Sequence, residues 1–220
     1  MTHHPVIDAI LVLAMLLNLG MLATSRLATC IRLFAFQSLL LALLPVGGEI
    51  ALGEWPSLHA YLVTAAAAGL KVIGIPYMLM RILRSGEIHK EVEPFIGFTA
   101  SVLLGALTIV ASFALSSRLT LPVPPMSDLV LPAALSTILI GLLTLVTRVT
   151  AITQVVGYLL LENGIFTFGL MLLKQTPLLV ELGILLDVFV GVFIMAIVVY
   201  HIRREFDHMD THLLDELKEV

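Results

Sequence analysis

Apolar residues run along this chain in long blocks rather than alternating with polar ones. Seven blocks stand out, at Pro5–Thr24, Ile31–Val46, Leu58–Met80, Phe95–Leu115, Leu129–Thr147, Ile152–Leu173 and Leu178–Tyr200. Blocks of about 20 apolar residues have the length a helix needs to cross a bilayer. Between them fall the turn formers expected of helix links: Gly47-Gly48 and Trp55-Pro56, Ser85-Gly86, Pro122, Pro124 and Pro125, and the short polar stretch Lys174-Gln175-Thr176-Pro177. A closed β-barrel is the other architecture that satisfies its backbone within lipid. These blocks lack the in-out alternation that barrel strands require. The pattern therefore predicts an all-α polytopic membrane helical bundle of about seven transmembrane helices. The fourth and fifth blocks hold no ionisable residue, and they read as plain structural helices.

Three charges break the blocks near their middles: Lys71 in the third, Glu162 in the sixth and Asp187 in the seventh. A charge at the bilayer centre costs roughly 2.5–3.5 kcal/mol on insertion scales, so helices that keep one turn it towards protein or water. All three together would cost roughly 8–10 kcal/mol if they faced lipid, comparable to the whole stability of a small domain. Desolvation penalises the charged form of an acid or base, which allows such groups to exchange protons and to relay them through water. Glu162, Asp187 and Lys71 are thus candidates for proton translocation. The plainer reading is a buried ion pair that fixes helix packing, and the sequence leaves open whether Lys71 pairs with Glu162, with Asp187 or with another subunit.

Weaker candidates surround these three. Asn163 and Gly164 follow Glu162 directly, the amide able to bond the acid or a neighbouring helix and the glycine permitting close backbone approach. Gln37 and Ser38 form a polar spot at a comparable place in the second block. His59 and Glu181 lie near the outer ends of the third and seventh blocks, where interfacial solvation competes with a role as proton exits. His208 and His212 have the i, i+4 spacing of a metal pair, but no third ligand accompanies them.

The basic residues set a direction. Arg26, Arg32, Arg81, Arg84, Lys90, Arg148, Arg203, Arg204 and Lys218 fall on one side of the predicted spans, against Arg118 and Lys174 on the other. The positive-inside rule puts the first set in the cytoplasm, with the N-terminus outside and the C-terminus inside. A displacement of 122 residues superposes Arg26 on Arg148, Ala35-Phe36 on Gly157-Tyr158 and Arg81 on Arg203. That suggests a duplicated three-helix unit, three plus one plus three, in which the odd connecting helix lets both copies run parallel.

Composition agrees with the pattern. The 220 residues are 59% hydrophobic and 13% charged, with mean hydropathy +1.06, against about 25% charged in soluble domains. The net charge of −4 and the lack of a basic run give no nucleic-acid surface. A single cysteine, Cys30, excludes an intramolecular disulfide framework and a cluster held by cysteines of this chain alone. The opening residues MTHHPVIDAI lack a basic signal region, so the first block reads as a retained span. No GxSxG or phosphate loop is present. At the far end, Phe206, Met209, Leu213 and Leu217 form a helical stripe among acidic residues, which suits docking on a partner protein better than lying on an anionic membrane.

The stretches YLLLENG, DVFVGVFIMAIVVYHIRR, RLATCIRLFAFQSLLLALL and LKVIGIPYMLMRILR resemble the hydrogenase-4 component E family. The C-terminal half is similar to the small NuoK-type subunit of respiratory NADH dehydrogenase and to the MrpC-type subunit of cation/proton antiporters. The resemblance divides the chain into a first three-helix unit (1–84), a connecting helix with its loops (85–127), a second unit (128–204) and an acidic tail (205–220). In the NuoK-type subunit two glutamates are implicated in proton translocation. Glu162 matches the first, and Asp187, with Gly191 keeping the acid-x-x-x-Gly spacing, matches the second. Two departures accompany this match: Glu162 lies further from its glycine than in the NuoK pattern, and Asp187 is shorter than glutamate.

The resemblance implies a subunit in the inner membrane of a prokaryote, part of a group 4 [NiFe]-hydrogenase or formate hydrogenlyase-like complex. That subunit would help couple redox chemistry to movement of protons or sodium ions. It implies antiporter-like membrane subunits and cytoplasmic hydrogenase and iron–sulfur subunits as partners. The nickel-iron centre and iron–sulfur clusters would lie on those partners, and no cofactor on this chain. A subunit of a non-redox cation/proton antiporter, and a structural protein whose buried charges only specify packing, are the competing readings.

Overall fold

The computed structural model describes residues 4–51, 53, 55–85, 95–119 and 127–170, all within one compact unit. They form α1 (Pro5–Ala23), α2 (Leu27–Ala42), α3 (Leu44–Ala51), α4 (Leu58–Ala67), a π-helical segment (Ala68–Gly74), α5 (Ile75–Ser85), α6 (Phe98–Ser116), α7 (Val130–Thr147) and α8 (Ala151–Leu170). Among the described residues, six stretches are long and apolar enough to cross a membrane, with α2–α3 and α4–α5 each making one. The chain is thus an all-helical membrane bundle. The seventh block, Leu178–Tyr200, and the acidic tail lie outside the described residues.

Two prolines shape the long spans. Proline has no N–H for the bond to residue i−4, and its ring collides with that carbonyl in a straight helix. Pro45 breaks the second span after Leu43, but the helix resumes as α3 and runs through Gly47-Gly48 to Ala51. Those glycines, read from sequence as a link, are helical, with Gly48 buried. Pro76 has a different outcome. In a regular helix its ring would meet the Val72 carbonyl, and the turn before it widens instead, Ile75 N donating to Leu70 O five residues back. Lys71 sits inside this widened segment.

A polar cap starts the third span. Ser57 Oγ accepts from Ala60 N (3.1 Å) and donates to Glu49 Oε1 (2.9 Å), tying the end of α3 to the start of α4. The helix N-terminus is thereby given the acceptor it lacks internally.

Helices α7 and α8 pack backbone to backbone. A Cβ placed on Gly141 would sit 2.5 Å from Leu161 N, and one on Gly164 would sit 2.7 Å from Ile138 N and 2.9 Å from Ala134 O. Without a strong hydrophobic drive between helices in lipid, small residues gain contact by letting backbones close in. Helix α6 is the reverse of a soluble helix: Leu103, Leu107 and Val110 face outward, while Ser101, Gly105 and Ser112 are buried. Ser112 Oγ donates to Thr108 O of its own helix (2.7 Å).

Apolar layers fill the interior. One joins Ile7, Leu11, Ala14 and Met15 of α1 with Leu41, Leu44, Val130, Ala133 and Leu170. At the opposite end of the same helices, Leu22, Leu27, Ile31, Phe34, Val156 and Leu159 are buried.

The links α1–α2 and α7–α8 are alike. Each has three residues (24–26 and 148–150), and each begins in extended conformation, φ −93° and ψ 137° at Thr24, φ −95° and ψ 143° at Arg148. Arg148, taken from sequence as a topology marker, is also a clamp. It is 2% exposed, its Nη2 donates to Leu22 O (2.6 Å), and its guanidinium lies 4.6 Å from the Phe98 ring centroid. Arg148→Met is expected to lower stability by about 1.5–3 kcal/mol, the range for a hydrogen bond to a charged group. Arg148→Lys should restore little of it, because an ammonium lacks the planar fork. Thermal melts of the detergent-purified variants measure this, and a lysine variant as stable as the original would refute the stacking role.

Candidate functional site

Between the two apolar layers lies a sheet of polar side chains at mid-span. The π-helical segment carries Lys71, thirteen residues from either end of Leu58–Arg84. A widened turn redirects a side chain without breaking the helix, and such turns are frequent at functional sites. Lys71 and Glu162 are each 3% exposed. The Lys71 Nζ lies 3.8 Å from Glu162 Oε1, close enough to pair electrostatically and too far for a direct hydrogen bond. Its nearer partner is Asn163 Oδ1 at 3.1 Å, and the Phe166 ring centroid stands 5.5 Å away. Phe166 is one turn beyond Glu162 on α8, so acid and aromatic ring share one face.

From Asn163 the polar contacts continue across the bundle. Asn163 Nδ2 donates to Gln37 Oε1 (3.0 Å) and Ser38 Oγ (2.8 Å) of α2. Gln37 Nε2 donates to Asn18 Oδ1 of α1 (2.9 Å), and Asn18 Nδ2 donates to Thr137 Oγ1 of α7 (2.9 Å). Thr137 Oγ1 finishes the chain by donating to Ala133 O (2.7 Å). Five spans therefore meet in one connected network, and every member is buried. Both Glu162 oxygens are buried without a hydrogen bond among the described residues. Thr64 Oγ1 of the third span is likewise buried without a hydrogen bond, but among the described residues Glu162 is the carboxylate in that position.

Of the residues singled out from sequence, Glu162, Lys71, Asn163 and Gln37 come together, with Ser38. His59 does not join them. It is exposed in the first turn of α4, twelve residues from Lys71, which is about 18 Å along a helix. Asp187 and Glu181 lie outside the described residues, as do His208 and His212. Asn18 and Thr137 were not anticipated. Asn18 is the one amide in the first apolar block, a signal that was present; Thr137 looks like any helix threonine, and α7 is not the plain scaffold its lack of charge suggested. Among the described residues, no three His, Cys, Asp or Glu side chains gather to hold a metal ion.

Comparison with known proteins gives the chain its relatives. The chain is 30% identical over 190 residues to the uncharacterized protein Rv0085 of Mycobacterium tuberculosis, covering 86% of this chain and 85% of that protein. It belongs to the Rv0085 family. Hydrogenase-4 component E of Escherichia coli K12 is 28% identical over 155 residues, 70% of this chain and 72% of that protein, and the Shigella flexneri component E matches equally. The Rv0085 family member described here is thus distantly related to hydrogenase-4 component E. No family model and no solved structure matches it.

Proposed function

We propose that this chain is an integral membrane subunit of a hydrogenase-4 or formate hydrogenlyase-like complex, and that Lys71 and Glu162 form a proton-transfer couple within it. The observation that carries this reading is the 3.8 Å couple, buried at mid-span with no hydrogen bond on the carboxylate among the described residues. A structural ion pair would close to about 2.7–2.9 Å. Closing this gap by about 1 Å, or bridging it with one water, lets the ammonium proton pass to the carboxylate. That leaves a neutral amine and a neutral acid. The reverse transfer restores the charges.

The distant relation to hydrogenase-4 component E supports the wider assignment. On it, the nickel-iron centre and iron–sulfur clusters belong to cytoplasmic partner subunits, electron transfer there drives ion movement here, and antiporter-like subunits adjoin this one. Asp187 and Glu181 are the next proton stations proposed. The equal three-residue links at 24–26 and 148–150 support a duplicated NuoK-like unit, with those links displaced by 124 residues. The basic residues near the link end support a cytoplasmic C-terminus and an outside N-terminus.

Gentle detergent purification of the tagged protein, followed by mass spectrometry of what co-elutes, tests the assignment. Recovery of a [NiFe]-hydrogenase-like large subunit with iron–sulfur partners is expected. Antiporter subunits without a redox partner would instead assign the chain to cation exchange, and a protein recovered intact and alone would refute membership of a complex.

A further inference from the structure

The polar network has a direction. Lysine can only donate, so Asn163 must turn Oδ1 towards Lys71 and its Nδ2 away. That choice forces Gln37 to present its oxygen to Asn163 and its nitrogen to Asn18, and forces Asn18 to present its oxygen to Gln37 and its nitrogen to Thr137. The hydroxyl of Thr137 then discharges the series onto the Ala133 carbonyl. Three amides on α8, α2 and α1 are therefore aligned, each with its oxygen on the side of the ammonium. Aligned hydrogen bonds polarise one another in a low dielectric, so the last oxygen in the row is a stronger acceptor than a lone amide.

Asn163 and Glu162 are neighbours on α8 and compete for the same ammonium. A carboxylate is ordinarily the better acceptor, since charge-assisted bonds are roughly twice as strong as neutral ones. Yet Lys71 Nζ is 3.1 Å from the amide and 3.8 Å from the acid.

We infer that the row Asn163–Gln37–Asn18–Thr137 is a positioning device that holds the Lys71 ammonium off Glu162. Side-chain amides neither gain nor lose protons near neutrality, so the row conducts no protons itself. It contributes to the resting gap of the couple, and weakening it shifts the lysine towards the acid. Its consequence for translocation rests on the transfer role proposed above; the positioning does not.

Solid-state NMR of the full chain in liposomes tests this. With [15Nζ]lysine and [δ-13C]glutamate labels, the Lys71–Glu162 dipolar coupling is assigned by its loss in Glu162→Gln. Dipolar coupling falls with the cube of distance. Asn18→Leu, near-isosteric but unable to accept from Gln37, is expected to raise the coupling about twofold as the gap shortens from 3.8 Å towards about 2.8 Å. Asn18→Asp gives up the bond to Thr137 but offers Gln37 a carboxylate acceptor, a charge-assisted bond roughly twice as strong as the neutral one it replaces, and is expected to retain the original coupling. A packing role predicts the opposite ranking, because leucine fills the site and aspartate charges it. If Asn18→Leu fails to fold, Thr137→Val, which removes only the terminal hydroxyl, is expected to raise the coupling in the same direction. An unchanged coupling in the folded leucine or valine variant, or an aspartate variant that behaves like leucine, overturns the proposal. A coupling that rises as expected while ion translocation by the assembled complex stays intact upholds the positioning and removes the transfer role from the couple.

Discussion

Removing one member of the Lys71–Glu162 couple is expected to destabilise the protein by about 3–5 kcal/mol, the range for breaking a buried ion pair, and, on the proposed transfer role, to abolish ion translocation. The two halves are not equivalent. Glu162→Gln leaves Lys71 its bond to Asn163 and its place beside the Phe166 ring. Lys71→Met strips the carboxylate of the ammonium beside it, and neither carboxylate oxygen has a hydrogen bond among the described residues. Lys71→Met is therefore expected to be the costlier change. The double variant should recover most of the stability, because replacing both charges by neutral groups removes the desolvation penalty with the attraction. It should not recover translocation, since no group remains to pass a proton. Unfolding in mixed micelles gives the stabilities and vesicle acidification by the assembled complex gives the activity. If translocation survives in the double variant, the couple only specifies packing.

The second large effect is expected from substitutions that change no charge. Gly164→Ala puts a methyl within 3 Å of Ile138 N and Ala134 O, and Gly141→Ala does the same against Leu161 N and Gly157 O. Backbone atoms cannot rotate away as a side chain can, so the helices must part. Glu162 and Asn163 directly precede Gly164 on α8, and a separation by even half an ångström carries both away from their partners. Overpacking of this kind costs typically about 1–3 kcal/mol. The loss of activity should exceed what the stability predicts, since a positional error of about 1 Å can cost a hundredfold in rate. Gly169→Ala, where nothing lies within 4 Å of the added methyl, is the control. Equal effects at Gly164 and Gly169 would refute the close-packing account.

How much of this was legible in the sequence depended on the size of the penalty each feature carries. Lys71 and Glu162 were readable because a charge in lipid is expensive enough to demand a reason. Gln37 and Asn163 were readable at lower contrast, as amides in apolar surroundings. Thr137 was not, because a threonine bonding its own helix looks the same whether or not a second helix also bonds to it. Pro76 announced a disturbance, yet its form depends on what packs nearby: Pro45 breaks its helix, whereas Pro76 widens one. The pairing of Lys71 with the α8 acid was one of three alternatives left open, since spacing along a chain does not specify which helix faces which. Gly47-Gly48 misled because glycine marks links in water-soluble chains and close packing in membrane ones.

The order of synthesis places the lysine 91 residues ahead of its acid. At about 5–20 residues per second, a ribosome takes about 5–18 s to cover that distance. The spans that carry the two charges, Leu58–Arg84 and Ala151–Leu170, are also the least apolar of the six. During that interval the nascent chain already holds Asn18 and Gln37, but neither the acid nor the amide that Lys71 will contact. Glu162 and Asn163 then arrive together on one helix and complete the polar layer in a single insertion event. A chain stalled before residue 151 presents Lys71 to the bilayer without Glu162 or Asn163, and a charge exposed there costs roughly 2.5–3.5 kcal/mol on insertion scales.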